Sequence, residues 1–330
     1  MGRYLVTGAA GFIASRVCEL LVERGDEVIG VDNLNDAYDV RLKEWRLKRL
    51  RALEGFAFVQ ADIVQKSTMG DVFRKQRGGA EKTFDAVVNL AARAGVRQSA
   101  QNPWVYYETN VTGTLNLLEL CRMHGCKKFL LASTSSLYGS HNPRPFREDA
   151  DTNRVLSPYA ASKKAAEALC YTYHYLYDID VAIPRYFTVF GPAGRPDMSL
   201  FRFVQWISEE RAVTVFGDGQ QSRDFTFVDD IARGTIAGLE LSGYNIFNLG
   251  SDRPTVLMDA IRMIEEKTGK RARLEFKPLH PADVLATWAD LSKTRELIDW
   301  SPSTGFEQGV DALIEWYRAN QQWAKDVRTE

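Results

Sequence analysis

The sequence contains few residues that bind metals or form disulfides, and these are scattered over its 330 positions. The four histidines are far apart, so the sequence predicts no metal site. The four cysteines show no CxxC spacing, and they lie in predicted helices or at helix ends, as Cys18, Cys121, Cys126 and Cys170. We therefore expect reduced thiols with a structural role.

The sequence also lacks an excess of charge of one sign and a long apolar run. Its 42 basic and 43 acidic residues are well mixed, which argues against a surface for nucleic acid or anionic lipid. No signal peptide or membrane-spanning run is apparent. A basic run at 41–51 predicts the solvated face of a helix. We expect a soluble, cytoplasmic protein without nucleic-acid or membrane partners, in which any phosphate site is local.

Short apolar segments alternate with longer amphipathic ones through the first half of the chain. Six of these segments predict strands, at 4–7, 28–32, 56–60, 86–90, 128–133 and 181–185. Parallel strands need long crossovers, and a parallel sheet needs helices on both faces. The pattern therefore predicts an α/β fold with a doubly wound parallel sheet of the Rossmann type.

The composition changes after residue 186, where a Pro- and Gly-rich stretch at 191–196 begins a different pattern. A strand pattern at 244–250 indicates that part of the later chain returns to the main sheet. We therefore predict a Rossmann domain and a smaller, interleaved C-terminal domain. The predicted boundaries are 1–186 with a returning segment at 224–250 for the first domain, and 187–223 with 251–330 for the second.

The first predicted strand runs into a GxxGxxA motif made by Gly8, Gly11 and Ala14, and a helix pattern follows at once. Small residues let the backbone approach a diphosphate, and the helix offers it unpaired N–H groups and a positive dipole end. Asp32 ends the second strand, where its carboxylate can bind the adenosine ribose and repel the 2′-phosphate of NADP. Each feature alone could be a simple turn, with the glycines and the aspartate playing no part in binding. Their order along the chain favours an NAD site instead.

A second group of residues has the pattern of an acid/base site. Residues 157–163 predict the start of a helix with Tyr159 and Lys163 on one face. A nearby ammonium and a positive nicotinamide ring would lower the pKa of the tyrosine from about 10 towards the working range. The fifth strand leads to hydroxyls at Thr134, Ser135 and Ser136, at the strand end where parallel sheets bind ligands. Taken singly, these features are more typical of helix surface and turns, but together with the cofactor motif they favour an acid/base site.

In order and spacing, these motifs resemble the extended short-chain dehydrogenase/reductases, the NAD-dependent epimerase/dehydratase family, over nearly all 330 positions. The resemblance implies a homodimer through a four-helix contact, with helices near 102–124 and 159–177. It also implies a cofactor site for NAD formed by Gly8, Ala10, Gly11, Phe12, Ile13, Asp32, Asn33, Asp62, Ile63, Leu90, Ala91, Ala92, Asn110, Ser133, Tyr159, Lys163 and Tyr186.

Segments 32–40, 91–97 and 187–198 further resemble the UDP-glucuronate 4-epimerases. That resemblance implies inversion at carbon 4 of UDP-glucuronate, giving UDP-galacturonate through a transient 4-keto sugar with NAD kept bound. Tyr159 would exchange the carbon 4 hydroxyl proton, and Lys163 would hold the nicotinamide ribose. The implied substrate-binding residues are Arg97, Thr134, Ser135, Ser136, Phe187, Thr188, Arg195, Met198, Phe216, Arg223, His280 and Asp283.

Within that set, the resemblance implies a distinct contact for each group of residues. Thr188 and Arg195 would bind the uronate carboxylate, and Arg97 is a further candidate for that contact. Arg223 would bind the diphosphate. Phe216 would contact the uracil, and Asp283 would contact the uridine ribose. Two positions depart from the family pattern, Ala14 for a glycine and His280 for an arginine. Alanine is tolerated because that position serves helix packing, whereas His280 weakens the implied hold on UDP.

Four other functions are compared with this one. The first is an epimerase of UDP-glucose or UDP-N-acetylglucosamine, and the residues that separate it from a uronate epimerase are mainly Thr188 and Arg195. A 4,6-dehydratase would carry Asp-Glu after Thr134, and a UDP-glucuronate decarboxylase would carry glutamate where this chain has Ser136. A non-catalytic NAD-binding regulator is disfavoured because the tyrosine and lysine of the acid/base site are both present.

Overall fold

A computed structural model describes residues 1–75, 84–279, 281 and 283–329 of the protein. The strands are β1 (Arg3–Thr7), β2 (Glu27–Asp32), β3 (Phe56–Gln60), β4 (Ala86–Asn89), β5 (Lys128–Leu131), β6 (Ser133–Thr134), β7 (Asp180–Tyr186), β8 (Thr188–Phe190), β9 (Ala212–Phe216), β10 (Ser222–Phe227), β11 (Tyr244–Leu249), β12 (Pro254–Val256) and β13 (Arg273–Lys277). The helices are α1 (Phe12–Glu23), α2 (Val40–Leu50), α3 (Lys66–Lys75), α4 (Val96–Gln101), α5 (Trp104–Tyr107), α6 (Gly113–His124), α7 (Pro158–Tyr177), α8 (Ser199–Ser208), α9 (Val228–Ala237), α10 (Leu257–Thr268), α11 (Ser292–Ile298) and α12 (Phe306–Ala324).

The main sheet contains eight strands in the order β11-β7-β5-β4-β1-β2-β3, with β6 paired to β7. Every pairing within it is parallel. The prediction of a doubly wound parallel sheet is therefore confirmed. The strand order reverses between β1 and β4, and ligands of such sheets bind in the crevice at that point, beyond the carboxyl ends of the strands. β11, the strand predicted at 244–250, lies at the sheet edge beside β7.

The central strands are mostly apolar because helices cover both faces of the sheet. Alternate side chains of β1 point to opposite faces, so that Leu5 and Val6 belong to two separate core clusters. Val6 lies in the cluster that includes Leu21 of α1, whereas Leu5 lies in the cluster that includes Leu117 of α6. Each face is therefore sealed by its own helices, and the strand ends are the part of the sheet left for a ligand.

The chain after β7 forms two small sheets, one with the order β12-β10-β8 and one made of β13 and β9. A third core cluster packs α8, α10 and α12 against these strands. The division of the chain into two domains at residues 186 and 187 stays a prediction. In the described part of the chain, no helix is long and apolar enough to cross a membrane.

A buried ion pair joins helix α7 to the main sheet. Arg185 of β7 and Glu167 of α7 lie 2.9 Å apart, between Nη2 and Oε2, with side chains only 2% and 3% exposed. Ser133 of β6 donates its hydroxyl to Glu167 at 2.6 Å, and Arg185 also donates to the hydroxyl of Tyr138. The network therefore fixes α7 against the strands that carry the predicted hydroxyl cluster.

We expect Glu167→Gln to lower the free energy of unfolding by about 3–5 kcal/mol, because it leaves the Arg185 guanidinium buried without an anion. Chemical denaturation followed by circular dichroism measures the change. Asp259→Asn is the matched control, because Asp259 pairs with Arg262 on the exposed side of α10, and it should alter stability little. Equal effects of the two substitutions would show that the buried pair does not stabilise the fold.

Candidate functional site

A cleft of about 530 Å³ lies beyond the carboxyl ends of the main-sheet strands. Its volume is in the range of pockets that hold cofactors and small substrates. The β1–α1 turn, the end of β4 and the start of α7 line one part of it, and residues 214–223 with Asp283 line another. The cleft therefore extends from the Rossmann motif to the small sheets.

The β1–α1 turn has a shape that only glycine permits at two positions. Gly8 has a φ of +71°, and a Cβ there would lie 2.8 Å from the backbone nitrogen of Ala91. A Cβ at Gly11 would lie 2.7 Å from the carbonyl oxygen of Gly8. Gly11 is also the N-cap of α1 and supplies no side-chain cap. The first turn of α1 therefore keeps N–H groups for an anion, as the diphosphate of NAD requires.

Asp32 ends β2 with its carboxylate in the cleft and only 7% of the residue exposed. The carboxylate accepts hydrogen bonds from the backbone N–H groups of Ala10, at 3.2 Å, and Leu34, at 2.8 Å. These bonds hold the acid beside the cofactor loop, where it suits an adenosine ribose. The residues present therefore fit NAD.

The lysine and arginine side chains of α2 do not all face solvent, which makes the prediction for the 41–51 run partly wrong. Lys43 and Arg46 are 5% and 2% exposed. Lys43 lines the cleft, and its ammonium lies 3.6 Å from the Asp32 carboxylate. The sequence analysis missed this lysine because charge alone does not show which face of a helix is buried. Its apolar neighbours Leu42 and Leu47 are the signal that would have located the buried face.

Most of the predicted cofactor residues line the cleft, as do most of the predicted substrate residues. The cofactor residues that do so are Gly8, Gly11, Phe12, Ile13, Asp32, Asn33, Asp62, Ile63, Leu90, Ala91, Ala92, Ser133, Tyr159, Lys163 and Tyr186. The substrate residues that do so are Arg97, Thr134, Ser135, Ser136, Phe187, Thr188, Arg195, Met198, Phe216, Arg223 and Asp283. His280 lies outside the described residues.

Ala10 and Asn110 do not line the cleft. The amide of Asn110 accepts from the N–H of Arg93 at 2.9 Å and donates to the Arg93 carbonyl at 3.0 Å. It also donates to the hydroxyl of Ser162 on α7 at 2.9 Å. This side chain therefore uses its hydrogen bonds to join the 93–95 loop to α7.

Helix α7 begins at Pro158, and its N-cap Ser157 accepts a hydrogen bond from the N–H of Ala160 at 3.2 Å. This start places Tyr159 and Lys163 on the face that lines the cleft. The Lys163 ammonium donates to the carbonyl of Ala132 at 2.9 Å. Burial lowers the pKa of Lys163 to about 8.

The electrostatics of Tyr159 differ from the sequence prediction. Burial raises the pKa of its phenol, while a hydrogen bond from Thr134 and the charge of Arg195 act in the opposite direction. The Lys163 ammonium donates to the Ala132 carbonyl, and the influences that oppose burial on this pKa come from Thr134 and Arg195. The groups that favour the phenolate in this structure are therefore a hydroxyl and a guanidinium from other parts of the cleft.

The hydroxyl cluster is formed by the turn that follows β6. Thr134 accepts a hydrogen bond from the N–H of Ser136 at 3.2 Å and so begins a short 3₁₀ helix, Ser135–Tyr138. The Thr134 hydroxyl also donates to the hydroxyl of Ser136 at 3.2 Å. Two hydroxyls thus lie side by side in the cleft near Tyr159, where they suit a polar oxygen of a ligand.

Three predicted substrate residues meet at the far end of the cleft. The guanidinium carbon of Arg97 lies 3.7 Å from the ring centre of Phe216, and its Nη2 lies 2.5 Å from the Asp283 carboxylate. Burial lowers the pKa of Arg223, the charge of Asp283 acts in the opposite direction, and the charge of Arg97 lowers it further. A site with two such cations favours an anion.

Arg195 also lines the cleft, from the loop at 191–198. It pairs with Asp197, with 2.5 Å between Nη2 and Oδ2, and its Nη2 lies 3.4 Å from the Ala94 carbonyl. The carboxylate raises the pKa of Arg195 and keeps it a cation despite burial. The sequence analysis missed Asp197 as its partner, since an acid two residues from a base is common in loops.

Comparison with known proteins identifies the class of this protein. The model of the NAD dependent epimerase/dehydratase family matches residues 4–250. The chain belongs to the NAD dependent epimerase/dehydratase family, and the predicted family and NAD dependence are confirmed. The roles of the individual site residues stay predictions.

Individual relatives narrow the comparison. The chain is 52% identical over 329 residues to a UDP-glucuronate 4-epimerase of Thermodesulfobacterium geofontis (strain OPF15). The alignment covers 99% of this chain and 100% of the relative. The crystal structure of a Bacillus cereus UDP-glucuronic acid 4-epimerase with UDP-glucuronic acid and NAD matches with a TM-score of 0.89 and 35% identity, over 96% and 99% of the two chains. A Thermotoga maritima UDP-glucose 4-epimerase with UDP-glucose matches with a TM-score of 0.87 and 30% identity, over 97% and 99%.

We expect Asp32→Asn to reduce the preference for NAD over NADP by about tenfold, because the amide keeps the backbone contacts but no longer repels a 2′-phosphate. Titration of cofactor-free protein with each dinucleotide measures the two dissociation constants. Asp36→Asn removes the same charge from an exposed position of the same loop and should leave the preference unchanged. An unaltered preference in Asp32→Asn would mean that another group selects the cofactor.

Proposed function

We propose that the protein interconverts UDP-glucuronate and UDP-galacturonate by inverting carbon 4 of the sugar, with NAD kept bound. The observation that carries this proposal is that Arg195 and Tyr159 line the same cleft, where the guanidinium charge acts to lower the pKa of the phenol. In a uronate, the carboxylate is attached to carbon 5 and is therefore adjacent to the hydroxyl of carbon 4. A base and a cation placed together suit these two neighbouring groups. The names of the relatives support the same substrate.

The acid/base chemistry belongs to Tyr159 and the hydroxyls around it. Tyr159 takes the proton of the carbon 4 hydroxyl as the sugar is oxidised to a ketone, and it returns the proton when the ketone is reduced. A hydrogen bond between the Tyr159 phenol and the Thr134 hydroxyl lowers the pKa of the phenol and so favours the phenolate. NAD, when bound, supplies the acceptor and then the donor of the hydride. Because the sugar turns over between the two half-reactions, the configuration changes while the net oxidation state does not.

The carboxylate adds a second requirement. The 4-keto uronate is a β-keto acid, which loses carbon dioxide when the bond to its carboxylate aligns with the carbonyl π system. We assign Arg195 and Thr188, which both line the cleft, to hold the carboxylate out of that alignment. Arg223 and Arg97 at the far end of the cleft would hold the diphosphate.

An epimerase of neutral UDP-sugars is the second candidate. The observation in its favour is that Asp197 already neutralises Arg195 in this structure. A neutral sugar would leave that pair intact, whereas a uronate must compete for the guanidinium. The Thermotoga maritima relative with UDP-glucose has nearly the same fold.

Incubation of the purified protein with UDP-glucuronate, UDP-glucose and UDP-N-acetylglucosamine in parallel separates the two candidates. We expect UDP-galacturonate from the uronate, with little carbon dioxide and little turnover of the neutral sugars. Turnover of UDP-glucose at an equal or higher rate would favour the second candidate. Stoichiometric release of carbon dioxide would identify a decarboxylase.

We also propose that the protein is a homodimer that pairs α6 and α7 of each copy. These adjacent helices carry exposed apolar side chains, namely Leu115, Met123, Tyr171, Tyr175 and Leu176, which we call the α6–α7 patch. Tyr175 is 75% exposed, and contiguous exposure of this kind is uncommon on a monomer. A twofold axis pairs the same patch from both copies and so makes a four-helix contact.

A cytoplasmic location is part of the proposal. The four cysteines are free and buried. Buried thiols without disulfides are typical of proteins in reducing compartments. We also propose that residues 1–186 with 224–250 act as the NAD-binding unit and that 187–223 with 251–330 bind the UDP-sugar.

Tyr159→Phe should reduce epimerisation at least about 100-fold, because the variant cannot take the carbon 4 proton. Conversion of UDP-glucuronate is followed by chromatography, and NAD content is measured in the same preparation, where we expect no loss. Tyr173→Phe removes a hydroxyl from the same helix at a position bonded to Glu119 and should keep most of the activity. Full activity in Tyr159→Phe would exclude the tyrosine as the acid/base.

Replacing both Tyr175 and Leu176 by Glu should convert the dimer into a monomer, because charges would then be buried across the α6–α7 patch. Light scattering coupled to size exclusion gives the mass. Phe276→Glu places one charge at another exposed aromatic residue, on β13, and should leave the mass unchanged. A monomeric wild-type protein would contradict the proposed contact.

A further inference from the structure

Arg46 occupies a buried position between the cofactor turn and the loop that carries Arg195. Its Nη1 donates to the carbonyl of Ala10 at 3.0 Å and to the hydroxyl of Tyr38 at 2.8 Å. Its Nε and Nη2 donate to the carbonyl of Ala193 at 3.0 and 2.5 Å, and Nη2 lies 3.3 Å from the carbonyl of Gly194. One guanidinium thus binds both loops at once.

No carboxylate of the described residues forms an ion pair with Arg46. The cation lies over the rings of Phe12, at 5.8 Å, and Tyr38, at 5.6 Å, and its other partners are carbonyl oxygens. A buried charge is costly, so this environment must compensate it with oriented dipoles. Only the planar fork of arginine reaches acceptors on both sides with fixed geometry. A lysine would keep the charge but lose this arrangement.

The hydrogen bonds from Arg46 to the 191–198 loop are accepted by Ala193 and Gly194, the two residues directly before Arg195. Ala193 has a φ of +51°, a left-handed conformation that non-glycine residues adopt at a cost. A Cβ at Gly194 would lie 3.1 Å from the carbonyl oxygen of Gly191, which is a tight contact within the same loop. Tyr38 and Arg195 both line the cleft, and the Tyr38 phenol is among the groups that raise the pKa of Arg195. The conformation of the 191–198 loop therefore depends on α2 and on the cofactor turn.

We propose that Arg46 is a positioning residue, which holds the 191–198 loop so that Arg195 lies at the site of the sugar carboxylate. This inference rests on the proposed function, since it assigns Arg195 a carboxylate ligand. Arg46 acts on the sugar end of the ligand and does not contact the nucleotide end. Its loss therefore weakens the binding of a uronate more than the binding of UDP.

Arg46→Lys tests the proposal in the NAD-loaded protein. Calorimetry measures the dissociation constants of UDP-glucuronate and of UDP for each variant. In Arg46→Lys, we expect the dissociation constant of UDP-glucuronate to rise about tenfold, which is the usual effect of losing hydrogen bonds to a charged group. The dissociation constant of UDP should change by less than about twofold. Arg49→Lys is the matched control, because it makes the same change on the exposed side of α2, and both constants should stay as in the wild type.

A double substitution shows whether Arg46 acts through Arg195. Arg195→Gln removes the guanidinium, and adding Arg46→Lys to it should weaken UDP-glucuronate binding by less than about a further twofold. Equal changes for UDP-glucuronate and UDP in Arg46→Lys would overturn the proposal, as would no change in either. Additive effects of the two substitutions would overturn it too.

Tyr38→Phe gives the same test if Arg46→Lys does not fold. It removes one acceptor of the guanidinium and keeps the ring, so UDP-glucuronate binding should weaken about threefold with UDP binding unaltered. No selective weakening there overturns the proposal. The wild-type assay separates this result from the proposed function, because a wild-type protein that does not epimerise UDP-glucuronate contradicts the function whatever the variants bind.

Discussion

The site depends on the attachment of helix α7 to the carboxyl ends of β5, β6 and β7. The Glu167–Arg185 ion pair and the bond from Lys163 to the Ala132 carbonyl make this attachment inside the core. Ser133 bonds to the same carboxylate, so the helix that carries Tyr159 and the strand that leads to Thr134 are held by one network. A phenol and a hydroxyl can share a reacting oxygen only if their separation is fixed to within a few tenths of an ångström.

Charge in the cleft is local, which would let a protein with a net charge of −1 bind a dianionic diphosphate and a carboxylate. Arg97 and Arg223 lie at one end, and Arg195 lies near Tyr159. Asp283 and Asp197 partly neutralise them. A ligand anion must therefore compete with carboxylates of the protein, so that binding favours ligands that meet several of the guanidiniums together.

The sequence predicted those parts of the molecule that follow from local rules. The β1–α1 glycines, the acid that ends β2 and the strand-helix alternation each reflect a short-range constraint, and the structure has them where the sequence indicated. Long-range packing was not predictable in the same way. The burial of Lys43 and Arg46 and the bond from Lys163 to the Ala132 carbonyl depend on elements far apart in sequence, whereas the pairing of Arg195 with Asp197 depends on the conformation of one loop. Asn110 was expected at the cofactor, yet its hydrogen bonds join two protein segments.

The central claim is that carbon 4 of a uronate is oxidised and then reduced again with the same hydride. Conversion of UDP-glucuronate carrying deuterium at carbon 4 tests this directly, with the product analysed by NMR. The account predicts UDP-galacturonate that retains the deuterium at carbon 4 in ordinary water, with the carboxylate intact. Loss of the deuterium to solvent, or a product inverted at another carbon, would contradict it.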